Sequence, residues 1–179
     1  MINYQGNIID TNDLPVGDVK RATLYGDAVF ETIRMRDNKL LFVEDHYFRL
    51  MASMRILRMP IPMEFTPEFF VDEANKLAEE VAVTDGRLRL QVVRKSEGKY
   101  TPQTNNECVW WMELEELDTQ DYEWRTKGLK VDLFKDHYVQ PGLLSTLKSS
   151  NSLLYVLAGI FAQENGLDAM LLEIGRASC

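Results

Sequence analysis

The chain has 179 residues, 45% of them hydrophobic and 27% charged, enough to bury the core of one large domain or of a domain and a part. A formal net charge of -8 with no basic block argues against a nucleic-acid surface or an anionic membrane as partner. Two cysteines, Cys108 and Cys179, cannot build a disulfide framework, and the two histidines, His46 and His137, stand in no metal-ligand spacing, so no metal is expected. The start MINYQGNIID lacks a basic n-region followed by an apolar stretch, and no apolar run approaches the ~20 residues of a membrane span. A soluble protein of a reducing cytoplasm is expected.

In chain order, DAVFETIRMRDNKLLFV predicts a strand from Ala28 to Met35, a polar turn at Arg36 to Lys39 and a second strand from Leu40 to Val43. The Asp37-Asn38 pair suits a tight reversal. A helix opens on two acids, Glu44 and Asp45, with Tyr47, Leu50, Met51, Met54 and Leu57 at helical spacing. Arg49 falls off that stripe. Thr66 as cap and Pro67 in the first turn mark another helix, with Phe70, Ala74, Leu77 and Val81 on one face and an end near Asp85-Gly86.

Three strand-like runs follow: RLRLQVVR, CVWWMELEEL and LKVDLFKDHYV. Hairpins rather than βαβ units link most of these, which argues for an α+β domain with a largely antiparallel sheet. The strand pattern stops at a Pro-Gly turn, so a linker is expected over Asp136 to Leu143, with residues 1–135 forming the N-terminal domain. His137 reads as a linker residue. A last helix, with Ser149, Ser150 or Asn151 as cap and Leu153, Leu157, Ile160 and Phe161 as apolar face, ends at Asn165-Gly166.

LSTLKSSNSLLYVLAG, residues 144–159, places Lys148 between an apolar approach and that helix. A solvated lysine is the simple reading, but the positive end of a helix dipole disfavours an ammonium. A partly desolvated lysine there would have a lowered pKa and more neutral amine, as a Schiff-base lysine needs.

Three segments, LYGDAVFETIRMRDNKLLFVEDHYFRL, LLSTLKSSNSLLYVLA and AQENGLDAMLL, resemble in order and spacing the class IV (fold type IV) pyridoxal-phosphate enzymes. That family includes branched-chain aminotransferases, D-amino acid aminotransferases and aminodeoxychorismate lyase. The resemblance implies that residues 144–179 begin a second, cofactor-binding α/β domain. In the family the lysine of a K-x-x-N segment forms an imine with pyridoxal phosphate, and Lys148 with Asn151 matches it. The arginine of an H-x-x-R-L helix grips the cofactor phosphate, and His46, Arg49 and Leu50 match that; His46 would brace Arg49. A forked, permanently charged guanidinium on a rigid helix suits a phosphate dianion. Phe30, Glu31 and Arg34 match the F-E-x-x-R strand whose side chains line the substrate pocket in relatives, and Tyr25 and Tyr100 are weaker candidates for it.

The implied chemistry is transamination between an amino acid and a 2-oxo acid, with Lys148 holding the cofactor and then moving a proton at the substrate α-carbon. Lys99 and Thr101 stand where D-amino acid enzymes place an Arg and a His, which disfavours that specificity. Gly98 and Tyr100 keep part of the lyases' G-G-R-G-Y pattern, but Lys99 replaces the Arg, and a lysine lacks the bidentate fork. An aminotransferase of branched-chain type is favoured, with a lyase releasing pyruvate and 4-aminobenzoate as the alternative. Relatives are homodimers, so the same is expected here. Relatives also continue beyond DAMLLE with an acid that contacts the pyridine nitrogen, whereas this chain ends EIGRASC, a string that one frame of a common sequencing adapter encodes. A fragment of a longer enzyme is expected, with a fragment that is inactive by itself as a further alternative.

Overall fold

A computed structural model describes residues 1–117, 124 and 126–174. The end Gly175 to Cys179 lies outside the described residues. The chain divides into two compact units, Met1–Gln120 with Lys148–Ser150, and Asp121–Leu147 with Asn151–Cys179.

The first unit is built on an antiparallel sheet. Strands β1 (Ile2–Tyr4), β2 (Asn7–Ile9), β3 (Ala28–Arg36), β4 (Lys39–Leu40), β5 (Gly86–Lys95) and β6 (Glu107–Glu116) lie in the order β2-β1-β6-β5-β3-β4. The N-terminal hairpin and helix α1 (Val16–Tyr25) were not expected from the sequence. Helix α1 starts after Pro15 without a side-chain cap and stops at Gly26 in the left-handed region, φ 64°, a stop that glycine makes easily.

The hairpin forms as expected, and its turn residues explain why. Asp37 (φ 48°) and Asn38 (φ 58°) are both left-handed between the paired Arg36 and Lys39, the geometry of a two-residue turn whose twist matches the strands. The second strand is shorter than predicted. β4 ends at Leu40, and Phe42, also left-handed, turns the chain so that α2 (Val43–Ile56) begins before Glu44 and Asp45.

Helix α3 (Pro67–Val81) starts as predicted, with the Thr66 hydroxyl accepting from Phe69 N at 3.1 Å. It ends earlier than Asp85-Gly86, at Ala82 in the left-handed region. Thr66→Ala should cost about 1 kcal/mol by removing the cap, read as a lower urea midpoint with unchanged slope.

The odd positions of β3 are buried with α2 and α3: Val29, Ile33 and Met35 join Leu50, Met54, Phe70, Leu77, Leu88, Leu90 and Val92 in one core. Glu31 occupies the same alternation and is 1% exposed. An apolar residue would be ordinary there.

In the second unit, β7 (Val131–Val139) pairs in parallel with β8 (Ala169–Ile174), with α4 (Leu153–Glu164) between them in the chain. This is a βαβ unit, packed in part by Phe134 on Phe161 at 5.5 Å. The run LKVDLFKDHYV therefore does not extend the first sheet, and residues 136–139, expected as linker, continue a strand. The expected cap is also displaced to Ser152, whose side chain makes no capping bond. Leu153, Leu157 and Ile160, predicted as the apolar core face of α4, are exposed, and Ala158 and Ala162 are the buried positions.

Candidate active site

The segment around Lys148 is held on the first unit as an extended strip. Phe30 N donates to Lys148 O at 2.9 Å, Ser150 N donates to Ala28 O at 3.0 Å, and Val29 bridges Ser149. It can lie there because β4 covers β3 only at Met35 and Arg36, leaving the edge from Ala28 to Phe30 open. Gln91 fixes the same strip from β5: its amide donates to Ser150 Oγ at 2.8 Å and to Val29 O at 3.2 Å.

Lys148 Nζ then reaches the buried carboxylate of Glu31, 3.9 Å from Oε2. It also lies 5.0 Å from the centre of the Phe30 ring, whose face carries the Arg89 guanidinium at 4.0 Å. Glu31 is gripped from α2. Arg49 donates through Nε to Oε1 at 2.7 Å and through Nη2 to Oε2 at 2.5 Å, a bidentate pair. His46 Nδ1 stands 2.8 Å from Oε2. Arg49 falls off the apolar stripe of α2, and that is what turns it to the strand carboxylate.

The charges shift one another. Burial of the Lys148 amine lowers its pKa, Glu31 pulls it back up, and the Arg49 and Arg89 charges lower it further, so the net shift is downward. The helix dipole invoked from the sequence is not the cause: α4 begins at Leu153, and Lys148 lies in the strip ahead of it. Burial acts to raise the Glu31 pKa, but hydrogen bonds from Arg49 and His46, aided by the charges of Arg49 and Lys148, hold the carboxyl below its usual range.

The folded protein therefore binds the Glu31 proton less tightly than the unfolded chain does. That contribution to stability is complete above the ordinary carboxylate pKa and disappears as pH falls through the folded value. Thermal melts through the acid range should show the wild type losing stability there, and Glu31→Gln lacking that part of the loss.

The other expected site residues are placed differently. Arg34 is half-buried on the Phe30 side of β3. Tyr25, Tyr100 and Lys99 gather around the buried Arg21: the tyrosine rings are 5.5 Å apart, Arg21 lies 5.1 Å over Tyr25 and donates to Lys99 O at 2.9 Å. Asn151 falls in the second unit. The sequence reading missed Arg89 and Gln91. Their signal was available in RLRLQ, whose alternation puts both opposite Leu90, and register then sets them beside Thr32 and Phe30.

A family model described as amino-transferase class IV matches residues 28–174. The chain belongs to that family. Among curated proteins it is similar to a D-alanine aminotransferase of Staphylococcus epidermidis, 27% identical over 89 residues, which is 50% of this chain and 31% of that protein. A Methanocaldococcus jannaschii protein named for branched-chain-amino-acid aminotransferase activity is 32% identical over 93 residues, 52% of this chain and 32% of that one. The matches thus span about a third of these relatives' length. The fold is that of a solved branched-chain amino acid aminotransferase of T.th. with pyridoxamine 5'-phosphate, at TM-score 0.81 and 22% identity over 97% of this chain and 58% of that chain. Among the described residues no helix is long and apolar enough to cross a membrane, and no His, Cys, Asp and Glu cluster suits a metal.

Proposed function

We propose that this class IV chain contributes to a pyridoxal-phosphate-dependent aminotransferase that exchanges the amino group of an amino acid, of branched-chain type, with a 2-oxo acid. The observation that carries the reading is the set of Lys148, Glu31 and Arg49: a partly buried amine with a depressed pKa, set against a carboxylate that also holds a guanidinium. These residues fit the cofactor. Arg49 Nη1 makes no hydrogen bond among the described residues and its side chain is 48% exposed, so it can donate to a phosphate while Nε and Nη2 stay on Glu31. Pyridoxal phosphate, when bound, supplies a carbonyl that condenses with amines and a conjugated ring that takes up the electron pair left at a substrate α-carbon.

The protein's part is position and proton transfer. Lys148 Nζ would hold the group and give or take the proton at a substrate α-carbon; a depressed pKa keeps more of it in the neutral form that both tasks need. Asn151 is assigned beside the cofactor by its place in K-x-x-N. Phe30 and Arg34, with Arg89, face the substrate side of β3. Glu31 serves Lys148 and Arg49 instead of the substrate, and Tyr25, Tyr100 and Lys99 border the pocket from the Arg21 cluster. The protein acts as a cytoplasmic homodimer.

The second reading, an aminodeoxychorismate lyase, is favoured by Gly98 and Tyr100 in EGKYTP. Incubating the chain with pyridoxal phosphate should give a visible absorption band that borohydride removes. Assays with branched-chain amino acids and 2-oxoglutarate, and with aminodeoxychorismate, then separate the two reactions. Absence of the band, in this chain and in any longer form of the protein, would sink both.

A further inference from the structure

The oxygen of Glu31 that faces Lys148 is the one Arg49 and His46 share. Oε2 receives Arg49 Nη2 at 2.5 Å, stands 2.8 Å from His46 Nδ1 and lies 3.9 Å from Lys148 Nζ. His46 Nδ1 is also 3.1 Å from Arg49 Nη2. One ring nitrogen cannot donate and accept at once. With its proton on Nδ1, His46 donates to Glu31; without it, a lone pair would face the carboxylate oxygen at 2.8 Å. Arg49 already spends Nη2 on Glu31, so the donor form satisfies more of the cluster. A second donor on Oε2 draws down the negative charge that this oxygen presents to Lys148. Glu31 is 1% exposed and the His46 side chain 17%, so water screens this pair little.

We propose that His46 is a positioning residue which, through Glu31, sets how strongly Lys148 holds its proton and so how much neutral amine the site offers. This deepens the reading of Lys148 as the reactive amine and rests on it for its purpose, though the charge relations need no cofactor. The charged groups around Lys148 are Glu31 from β3, Arg49 from α2 and Arg89 from β5, with His46 of α2 set against Glu31. Only Glu31 among them draws the proton onto the amine.

The test is trace acetylation with acetic anhydride across a range of pH, with the rate at Lys148 read by peptide mass spectrometry against the exposed Lys20. No cofactor is added. At a pH where the amine is mostly charged, Glu31→Gln should speed labelling of Lys148 roughly fivefold, the weak-coupling value for unit charges about 4 Å apart in a water-like medium. His46→Phe should slow it by a smaller factor, because Oε2 loses a donor and presents more charge. His46→Asn, whose amide can donate in place of Nδ1, should return the rate toward the wild type. A residue that merely packed would leave this pH profile in place. An unchanged profile in His46→Phe, or a shift in the same direction as Glu31→Gln, would overturn the proposal. Should Glu31→Gln fail to fold, the two His46 variants decide alone. Absence of the band in this chain and in any longer form, while labelling responds as stated, refutes the proposed function and leaves this inference standing; a band with no labelling response does the reverse.

Discussion

On the proposed function, Lys148→Ala should abolish the visible band expected with pyridoxal phosphate, and amino-group exchange by the enzyme should fall by at least ~10²-fold, the low end of what a positioned proton-transfer group contributes. The size of the effect follows from the absence of a substitute. Among the lysines of the first unit, Lys148 is the one seated within 3.9 Å of the buried Glu31 carboxylate. Lys20 pairs with Glu97, and Lys76 with Glu73, and both side chains are at least half exposed. Alanine also leaves the strip itself intact, because Lys148 holds β3 through its backbone carbonyl. The variant should therefore fold while losing the chemistry. Lys20→Ala is the control and should keep the band. A borohydride-reducible band that survives in Lys148→Ala would mean that another amine carries the cofactor.

The parts of this site that the sequence displayed are those that depend on one residue type in one local pattern. Lys148, Arg49 and the Phe30, Glu31, Arg34 strand were visible because a motif fixes them, and α3 because Thr66 and Pro67 mark its start. What stayed hidden depended on long-range pairing. Glu31 obeys the alternation of β3, and only the arrival of α2 shows that it is buried and paired with Arg49. Lys148 was placed at a helix start because its neighbours are good caps; the open edge of β3 won that segment, and the helix began at Leu153. β7 gave a strand pattern that was read correctly, yet alternation does not name a partner, and pairing with β8 assigns it to the second unit. Helix α1 and the β1–β2 hairpin were missed, since a three-residue strand is too short for its period to register.

Asp27→Asn should destabilise the first unit by about 3–5 kcal/mol, the usual cost of removing one partner from a buried ion pair. Asp27 holds two guanidiniums: Arg21 Nε at 2.8 Å from Oδ2, and Arg94 Nε at 3.0 Å from Oδ2 and 3.2 Å from Oδ1. The side chains are 5%, 14% and 7% exposed for Arg21, Asp27 and Arg94, so losing the carboxylate leaves two cations facing each other with little water to screen them. Each arginine also ties down a different loop. Arg94 donates to Leu57 O at 2.6 Å and Arg58 O at 3.0 Å, and Arg21 donates to Lys99 O at 2.9 Å. Against a typical total stability of about 5–15 kcal/mol the loss is large enough to show as partial unfolding at ordinary temperature. Urea denaturation gives the size, and a double-mutant cycle gives the cause. With Arg94→Met as the second change, one uncompensated cation is removed and replaced by apolar volume, so the double variant should be more stable than the sum of the two single losses. A cost below ~1 kcal/mol for Asp27→Asn, the value of an exposed pair, would show that the two arginines find other counter-charges. The effect should reach the site as well. Asp27 precedes Ala28, whose carbonyl receives Ser150 N, so loosening this corner loosens the strip that presents Lys148 to Glu31.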